Sequence, residues 1–151
     1  MGIPVEKINE KNSLGTSTYK NIRMKTTTTW KGAKAFDSWK DNSKIEIDAG
    51  GGFNPKALLL SGLAACSAID VVEILEKMRV PFADLKVDTE AEQTEEHPRV
   101  FKTIHLTYHV KTEEENREKV KKAIDLSLEK YCGVAAMLKK NSGIVYEIVI
   151  A

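Results

Sequence analysis

The chain has 151 residues, of which 42% are hydrophobic and 30% are charged. This composition excludes a disordered or low-complexity chain and predicts a single globular domain over residues 1–151, with a core of ordinary size. The 23 Lys and Arg residues against 22 Asp and Glu residues give a formal net charge of +1. Such a charge gives no electrostatic attraction to a nucleic acid or a membrane surface, and we expect neither as a partner.

The expected cellular location depends on the N-terminal segment and on the most apolar stretch. Residues 1–25 contain Glu6, Glu10 and several Lys without an apolar core, unlike a secretory signal, and residues 1–15 are expected to be loosely ordered. The apolar stretch 58–75 is interrupted by Ser, Asp and Glu, so it falls short of a membrane span and is interpreted as a buried helix. A cytoplasmic location follows, in which thiols stay reduced.

Three short strands and a glycine loop are predicted in the first third of the chain. Thr-rich alternation over residues 19–30 indicates a half-buried strand, and residues 35–36 and 44–48 favour two further strands. The three consecutive glycines at 50–52 indicate a flexible loop. They lack the Lys-Ser/Thr pair of a phosphate-binding loop, so we interpret them as a hinge.

A long helix is predicted over residues 55–79. Asn54 is suited to cap it, Pro55 is suited to its first position, and Pro81 lies just beyond its end. The first two-thirds of this segment are apolar on most of the helix surface, which is typical of a helix buried in a core or between subunits. Small residues allow another backbone to approach closely; they are Ser61, Gly62, Ala64, Ala65, Ser67 and Ala68.

The second half of the chain predicts a hairpin, two helices and a last strand. Residues 85–91 and 100–110 alternate and are joined by the loop 94–98; in the second strand Val100 shares a face with Ile104, and Phe101 lies on the other. Thr112 and Glu115 form a capping-box pattern for a helix that breaks near Gly133. A short helix at 134–140 and a strand at 144–150 follow. The predicted fold class is therefore α+β.

The two cysteines are the candidate chemical groups. Cys66 lies near the middle of the long helix, and Cys132 lies beside the predicted helix junction. Reduced cysteines are inert core residues, metal ligands or redox-active groups, and the residues alone leave these possibilities open. If Cys132 begins a helix, the N–H groups there favour its thiolate, whereas Cys66 needs a nearby cation.

A metal site is not expected. His105 and His109 have the H-x₃-H spacing of a zinc site, but on a strand this spacing separates them by about 13 Å, too far to share one ion. We interpret both as side chains on a partly exposed strand face. No cofactor is expected from the motifs present.

Three ordered blocks of the sequence resemble the OsmC/Ohr family of osmotically inducible and organic-hydroperoxide-resistance proteins. The blocks are residues 54–79 (NPxxLL, GLAAC and VVxILxKMR), 96–106 (EHPRVFxxIHL) and 129–138 (EKYCxVxxML). Two of them contain the cysteines, and the resemblance extends over about residues 25–150.

The resemblance implies both a fold and an activity. The fold is an intertwined α+β homodimer with curved antiparallel sheets around long central helices. The activity is a cysteine-based peroxidase acting on organic hydroperoxides, in which Cys66 matches the reacting cysteine and Cys132 the resolving one. Peroxide oxidises the first thiol to sulfenic acid, the second thiol condenses with it to a disulfide, and an external dithiol reduces that disulfide without a cofactor.

Two positions depart from the family's peroxidases, which use a Glu and an Arg to activate the reacting thiol. The Glu position, ten residues before the cysteine, holds Lys56. The region expected to supply the Arg contains Lys31 and Lys34 but no Arg, and Arg99 is the alternative. A second hypothesis is therefore a non-enzymatic dimer that binds a small apolar or thiol-containing ligand at the subunit interface. A third is a redox sensor whose disulfide changes a partner surface.

Overall fold

The computed structural model describes residues 23–151. The segment 1–15, predicted to be loosely ordered, and the start of the strand predicted at 19–30 lie outside these residues. The elements in chain order are β1 (Thr27–Gly32), β2 (Ala35–Lys40), β3 (Ser43–Asp48), α1 (Pro55–Lys77), β4 (Asp84–Gln93), β5 (Phe101–Lys111), a 3₁₀ turn (Glu114–Asn116), α2 (Arg117–Leu126), a π-turn (Ser127–Tyr131), α3 (Gly133–Leu138) and β6 (Gly143–Ile150).

The first sheet is an antiparallel meander in the order β1-β2-β3. Gly32 makes the turn into β2 possible, because its φ of 117° lies in a region that other residues rarely adopt. The three strands contact one another, and none of the described residues before Leu63 is buried. The three predicted strands are present, but β1 begins at Thr27, so residues 23–26 of the predicted strand lie outside it. The faces of the sheet are open to solvent, whereas the alternation predicts a half-buried strand.

The second sheet has the order β4-β5-β6. β4 and β5 form the predicted antiparallel hairpin, whereas β6 pairs with β5 in parallel, so the expectation of wholly antiparallel sheets is wrong. The physical reason is the connection: α2, the π-turn and α3 carry the chain back along the sheet, and such a crossover returns it in the direction of β5.

A bulge in β5 changes which side chains face the core. Ile104 and the alternate residues after it are buried as predicted, but Phe101, predicted on the other face, is also buried. The register moves from Thr103 opposite Glu92 to Phe101 opposite Gln93, so Lys102 is the extra residue. One inserted residue reverses the alternation, and Phe101 turns inward.

Helix α1 crosses the inner face of the second sheet. Asn54 caps it as predicted, since its Oδ1 accepts a hydrogen bond of 2.9 Å from the Ala57 N–H. Only one stripe of the helix is buried, composed of Leu63, Ser67, Val71 and Leu75. This stripe packs with α2, α3 and the inner face of β5 to form the core.

The remaining surface of α1 is apolar and exposed. Leu59 is 50% and Ile69 is 60% accessible to solvent. By length and composition α1 is apolar enough to cross a membrane, against the expectation that this stretch falls short. A core helix of a soluble protein has the same length and composition, so the observation describes the helix and does not place it in a membrane.

The second helix begins differently from the prediction. Thr112 does not cap it: the Thr112 hydroxyl donates to the Pro81 carbonyl at 2.6 Å, and the chain enters α2 through the 3₁₀ turn. The break predicted at Gly133 occurs one turn earlier as the π-turn. This turn places Cys132 between two helical segments, where it is the N-cap residue of α3.

Candidate functional site

The fold brings the two cysteines together. Cys66 is half-buried on α1, and Cys132 is 3% exposed at the start of α3. Both thiols are free. Cys66 lies close enough to the Cys132 thiol to raise the pKa of Cys132. The two sulfur atoms, which belong to different elements, are therefore neighbours in the folded chain.

Burial controls the protonation of Cys132. Its Sγ accepts a hydrogen bond of 3.3 Å from the Ala135 N–H, and this contact lowers the pKa as expected at a helix start. Burial and the neighbouring Cys66 act more strongly in the opposite direction, and together they raise the pKa of Cys132 to about 11. The expected thiolate is therefore not favoured at Cys132, which keeps its proton at neutral pH.

A buried chain of hydroxyl groups adjoins the thiols. The Ser127 hydroxyl donates to Asp70 Oδ2 at 2.9 Å, and its oxygen lies 3.1 Å from the Ser67 Oγ. Ser67 in turn shares a 2.5 Å hydrogen bond with the Tyr108 hydroxyl. Burial raises the pKa of Tyr108 to about 12, so this phenol stays protonated at neutral pH.

The sequence contains a signal for this network that a search for motifs does not detect. Tyr108 alternates with apolar core residues along β5, and Ser67 and Ser127 lie at helical core positions. A buried polar group needs a partner, so hydroxyls from three elements that face one core are expected to meet. Asp70, one helical turn after Cys66, adds the carboxylate.

The lysines near the expected activating positions are engaged elsewhere. Lys56 donates a 2.5 Å hydrogen bond to Gln93, and Lys31 pairs with Asp37 at 3.5 Å. Among residues 23–151, no lysine or arginine forms a hydrogen bond with either thiol. Besides Cys66, the Asp70 carboxylate also raises the pKa of Cys132, because its negative charge disfavours a thiolate.

A cleft of about 510 Å³ opens beside Asp70, between the second half of α1 and α2. Asp70 lies in its wall, together with Lys77, Lys122 and Tyr131. The carboxylate that accepts the Ser127 hydroxyl therefore also faces solvent-accessible space.

The two strand histidines are placed as the strand spacing predicts. His109 Nε2 lies 2.8 Å from Asp88, and His105 Nε2 lies 4.0 Å from Glu92. Over the described part of the chain, no group of three His, Cys, Asp or Glu side chains is arranged to hold a metal ion.

Comparison with known proteins gives consistent matches. The family model for OsmC-like protein matches residues 48–147. Protein YhfA of Escherichia coli K12 is 43% identical over 100 residues, which are 65% of this chain and 75% of that protein. A hypothetical protein from Aquifex aeolicus VF5 superposes with a TM-score of 0.75 at 30% identity, covering 86% of this chain and 98% of the other.

A more distant structure supports the fold alone. The organic hydroperoxide resistance protein OhrB of Bacillus subtilis has a TM-score of 0.64 at 17% identity, covering 84% of this chain and 98% of its own. The predicted α+β fold class is confirmed by these superpositions.

Proposed function

We propose a function from two facts: the chain belongs to the OsmC-like family, and its two cysteines are neighbours in the fold. The proposed function is a thiol-dependent peroxidase that reduces organic hydroperoxides through Cys66, with Cys132 as the resolving thiol. The pairing of the thiols is the observation that carries the proposal, since condensation to a disulfide requires two sulfur atoms in contact. Resistance to organic hydroperoxides is in the name of OhrB, a protein of the same fold.

The surroundings of the two sulfur atoms support this division of roles. Cys66 is half-buried and accessible, whereas Cys132 is 3% exposed. The raised pKa of Cys132 keeps it a thiol at neutral pH, and a thiol is a poor nucleophile toward a peroxide. Cys66 is therefore the better candidate for the first attack.

The proposed reaction has three balanced steps. The Cys66 thiolate attacks the O–O bond of the hydroperoxide, which leaves Cys66 as a sulfenic acid and releases an alkoxide that takes up a proton to become an alcohol. The Cys132 thiol then displaces the sulfenic hydroxyl, forming a disulfide and water. An external dithiol reduces the disulfide and is itself oxidised, so no resident cofactor is required.

The residues around Cys66 predict a slow first step. Lys56, at the position of the expected carboxylate, donates to Gln93 instead, and no guanidinium is bonded to the thiol within residues 23–151. A neighbouring cation is a common means of activating a nucleophilic cysteine, and this means is absent from the described surroundings of Cys66.

We also propose that the functional unit is a homodimer. The first sheet exposes Trp30 and Ile45, and α1 exposes Leu59 and Ile69, so both elements leave apolar side chains open to solvent. Monomeric proteins rarely expose such a surface, so a second copy of the chain is the proposed cover. A cytoplasmic location agrees with the two free thiols.

Binding of a small apolar ligand is a second candidate function. A groove of about 470 Å³ lies along α1 beside β4 and is lined by Ala65, Ala68, Ile69, Val72 and Leu85. Native mass spectrometry of the purified protein tests this candidate. A ligand that co-purifies with the wild-type protein but not with the Ile69→Lys variant supports this candidate. A wild-type protein that carries no ligand and binds no added apolar compound contradicts it.

The peroxidase proposal is tested with stoichiometric cumene hydroperoxide. The reduced wild-type protein is expected to lose the mass of two hydrogen atoms and to give a Cys66–Cys132 peptide pair. Cys132→Ser is expected to stop at a Cys66 sulfenic acid that dimedone traps, and Cys66→Ser is expected to keep its mass. An unchanged wild-type mass, with Cys66 remaining free, contradicts the proposal.

A further inference from the structure

We propose that Ser127 is a positioning residue that holds Cys132 against Cys66 and thereby sets how readily their disulfide forms. Ser127 carries no reacting atom; it acts through the backbone of Cys132. The inference deepens the proposed function and rests on it for its biological role, but it concerns a bond that is measurable without any peroxide.

Ser127 connects the two cysteine-bearing elements through both of its polar ends. Its carbonyl accepts the Cys132 N–H at 2.8 Å, and its hydroxyl donates to Asp70 at 2.9 Å. Ser67, the residue after Cys66, provides a further contact 3.1 Å from the Ser127 Oγ. One fully buried residue therefore connects the backbone of Cys132, through its carbonyl, to the part of α1 that carries Cys66, through its hydroxyl.

The π-turn is what makes this connection possible. In an α-helix the Cys132 N–H would bind the carbonyl of Leu128, but here it reaches back five residues to Ser127. The released Leu128 carbonyl accepts a 2.7 Å hydrogen bond from Lys139, at the end of α3. The inserted residue thus turns Cys132 out of the helical path, and Lys139 satisfies the carbonyl that the turn leaves free.

The geometry gives each contact a consequence for the disulfide. Without the Ser127 hydroxyl, the π-turn loses its bond to Asp70 and leaves the buried Ser67 with one partner fewer. Cys132 then samples positions farther from Cys66, and the effective concentration of one thiol at the other falls.

The test is the equilibrium between the protein dithiol and a mixture of reduced and oxidised glutathione. Oxidised glutathione accepts the two electrons and two protons of Cys66 and Cys132, so a protein disulfide and two molecules of reduced glutathione form. Ser127→Ala is expected to lower the equilibrium constant for disulfide formation by about tenfold, since a lost hydrogen bond of about 1.4 kcal/mol corresponds to that factor. Quenched samples are quantified by mass spectrometry.

Matched variants separate positioning from general stability. Asp70→Ala is expected to lower the constant in the same direction, and Asp70→Asn, which keeps an oxygen acceptor for Ser127, less so. Tyr146→Phe keeps the ring that packs edge-on against Tyr108 and removes only the hydroxyl that donates to Asp125 at 2.5 Å. This bond is separate from the Ser127 contacts, so the constant is expected to stay unchanged. If Ser127→Ala does not fold, the comparison of the two Asp70 variants carries the test, because Asp70 is only half-buried.

Two results overturn the inference. One is a constant within about twofold of wild type in both Ser127→Ala and Asp70→Ala. The other is a decrease in Tyr146→Phe as large as in Ser127→Ala, which would mean that any loss of stability has this effect. Failure of the cumene hydroperoxide experiment alone would reject the peroxidase proposal and leave this inference standing.

Discussion

The two sheets of the molecule are made from similar sequence patterns but have opposite surroundings. In the second sheet, Ile104 and Tyr108 are fully buried beneath the helices. In the first sheet, Trp30 is 66% and Ile45 is 48% exposed. A three-stranded sheet needs an apolar face packed against something to be stable. The alternation of a strand therefore predicts that one face is covered, but not whether the cover comes from the same chain.

The largest expected effect contrasts equivalent substitutions in the two sheets. Ile104→Ala removes a fully buried side chain and is expected to lower the free energy of unfolding by about 2–5 kcal/mol. Ile45→Ala, at a half-exposed position of the first sheet, is expected to cost much less at low protein concentration. Urea denaturation followed by circular dichroism measures both.

Protein concentration sharpens this comparison. If a second copy covers the first sheet, the free-energy cost of Ile45→Ala increases with protein concentration. Association stabilises the folded state, and the wild-type chain gains more from it than a chain with a truncated contact residue. Equal costs for Ile104→Ala and Ile45→Ala in dilute protein would show that the first sheet is packed within its own chain.

The next prediction concerns the exposed side of α1. Ile69→Lys places a charge on the exposed apolar side of α1 and is expected to weaken self-association by about 100-fold, the equivalent of about 3 kcal/mol. Glu76→Lys changes the charge of the same helix at an exposed position away from the apolar groove and serves as the control. Sedimentation equilibrium measures both variants; a monomeric wild type would reject the proposed homodimer.

Local signals in the sequence predict the helix and strands well. Asn54, Pro55 and Pro81 enclose α1 to within two residues of its observed end. The alternating faces of β5 were predicted except at Phe101, because a bulge depends on the pairing with β4 and leaves no mark in the strand itself. The parallel pairing of β6 is also a property of the whole topology.

The site was predicted only in part. The pairing of Cys66 with Cys132 came from the resemblance to a family, since the spacing of two cysteines in a sequence does not place them in space. The pKa of Cys132 could not be predicted from the sequence. It depends on the balance between burial, which raises it, and the hydrogen bond from the Ala135 N–H, which lowers it. Ser127 was missed because a serine within a helical pattern has no distinctive signal until its partners are known.

The burial of Cys132 beneath the helices of the second sheet makes the free energy of unfolding depend on pH. Its pKa is about 11 in the folded chain against an ordinary value of 9.0, so the folded state holds this proton more tightly. The stabilisation is complete below pH 9 and is lost as the pH rises toward 11, with a slope of at most about 1.4 kcal/mol per pH unit. The raised pKa of Tyr108, about 12, acts in the same direction at higher pH.

The measurement is urea denaturation of the reduced protein at several pH values above 8. Cys132→Ala is expected to flatten the decline between pH 9 and 10 while Tyr108 still contributes above it. An identical slope in wild type and variant would mean that Cys132 has no raised pKa. Solvent-exposed first-sheet substitutions such as Ile45→Ala should leave the slope unchanged, which distinguishes the two regions again.

The smallest expected effect is at the start of α1, between the first sheet and the rest of the chain, where Asn54 caps the helix. The Asn54 Oδ1 accepts the Ala57 N–H, and the first turn of α1 contains no acidic residue. Asn54→Ala is expected to lower the free energy of unfolding by about 1 kcal/mol, the usual cost of a lost N-cap. Asn54→Asp keeps the acceptor and adds a negative charge at the positive end of the helix dipole, so it should match or slightly exceed wild type. Thermal unfolding of the three proteins at low and high salt checks this order. A destabilised Asn54→Asp variant would contradict the role of Asn54 as the cap of α1.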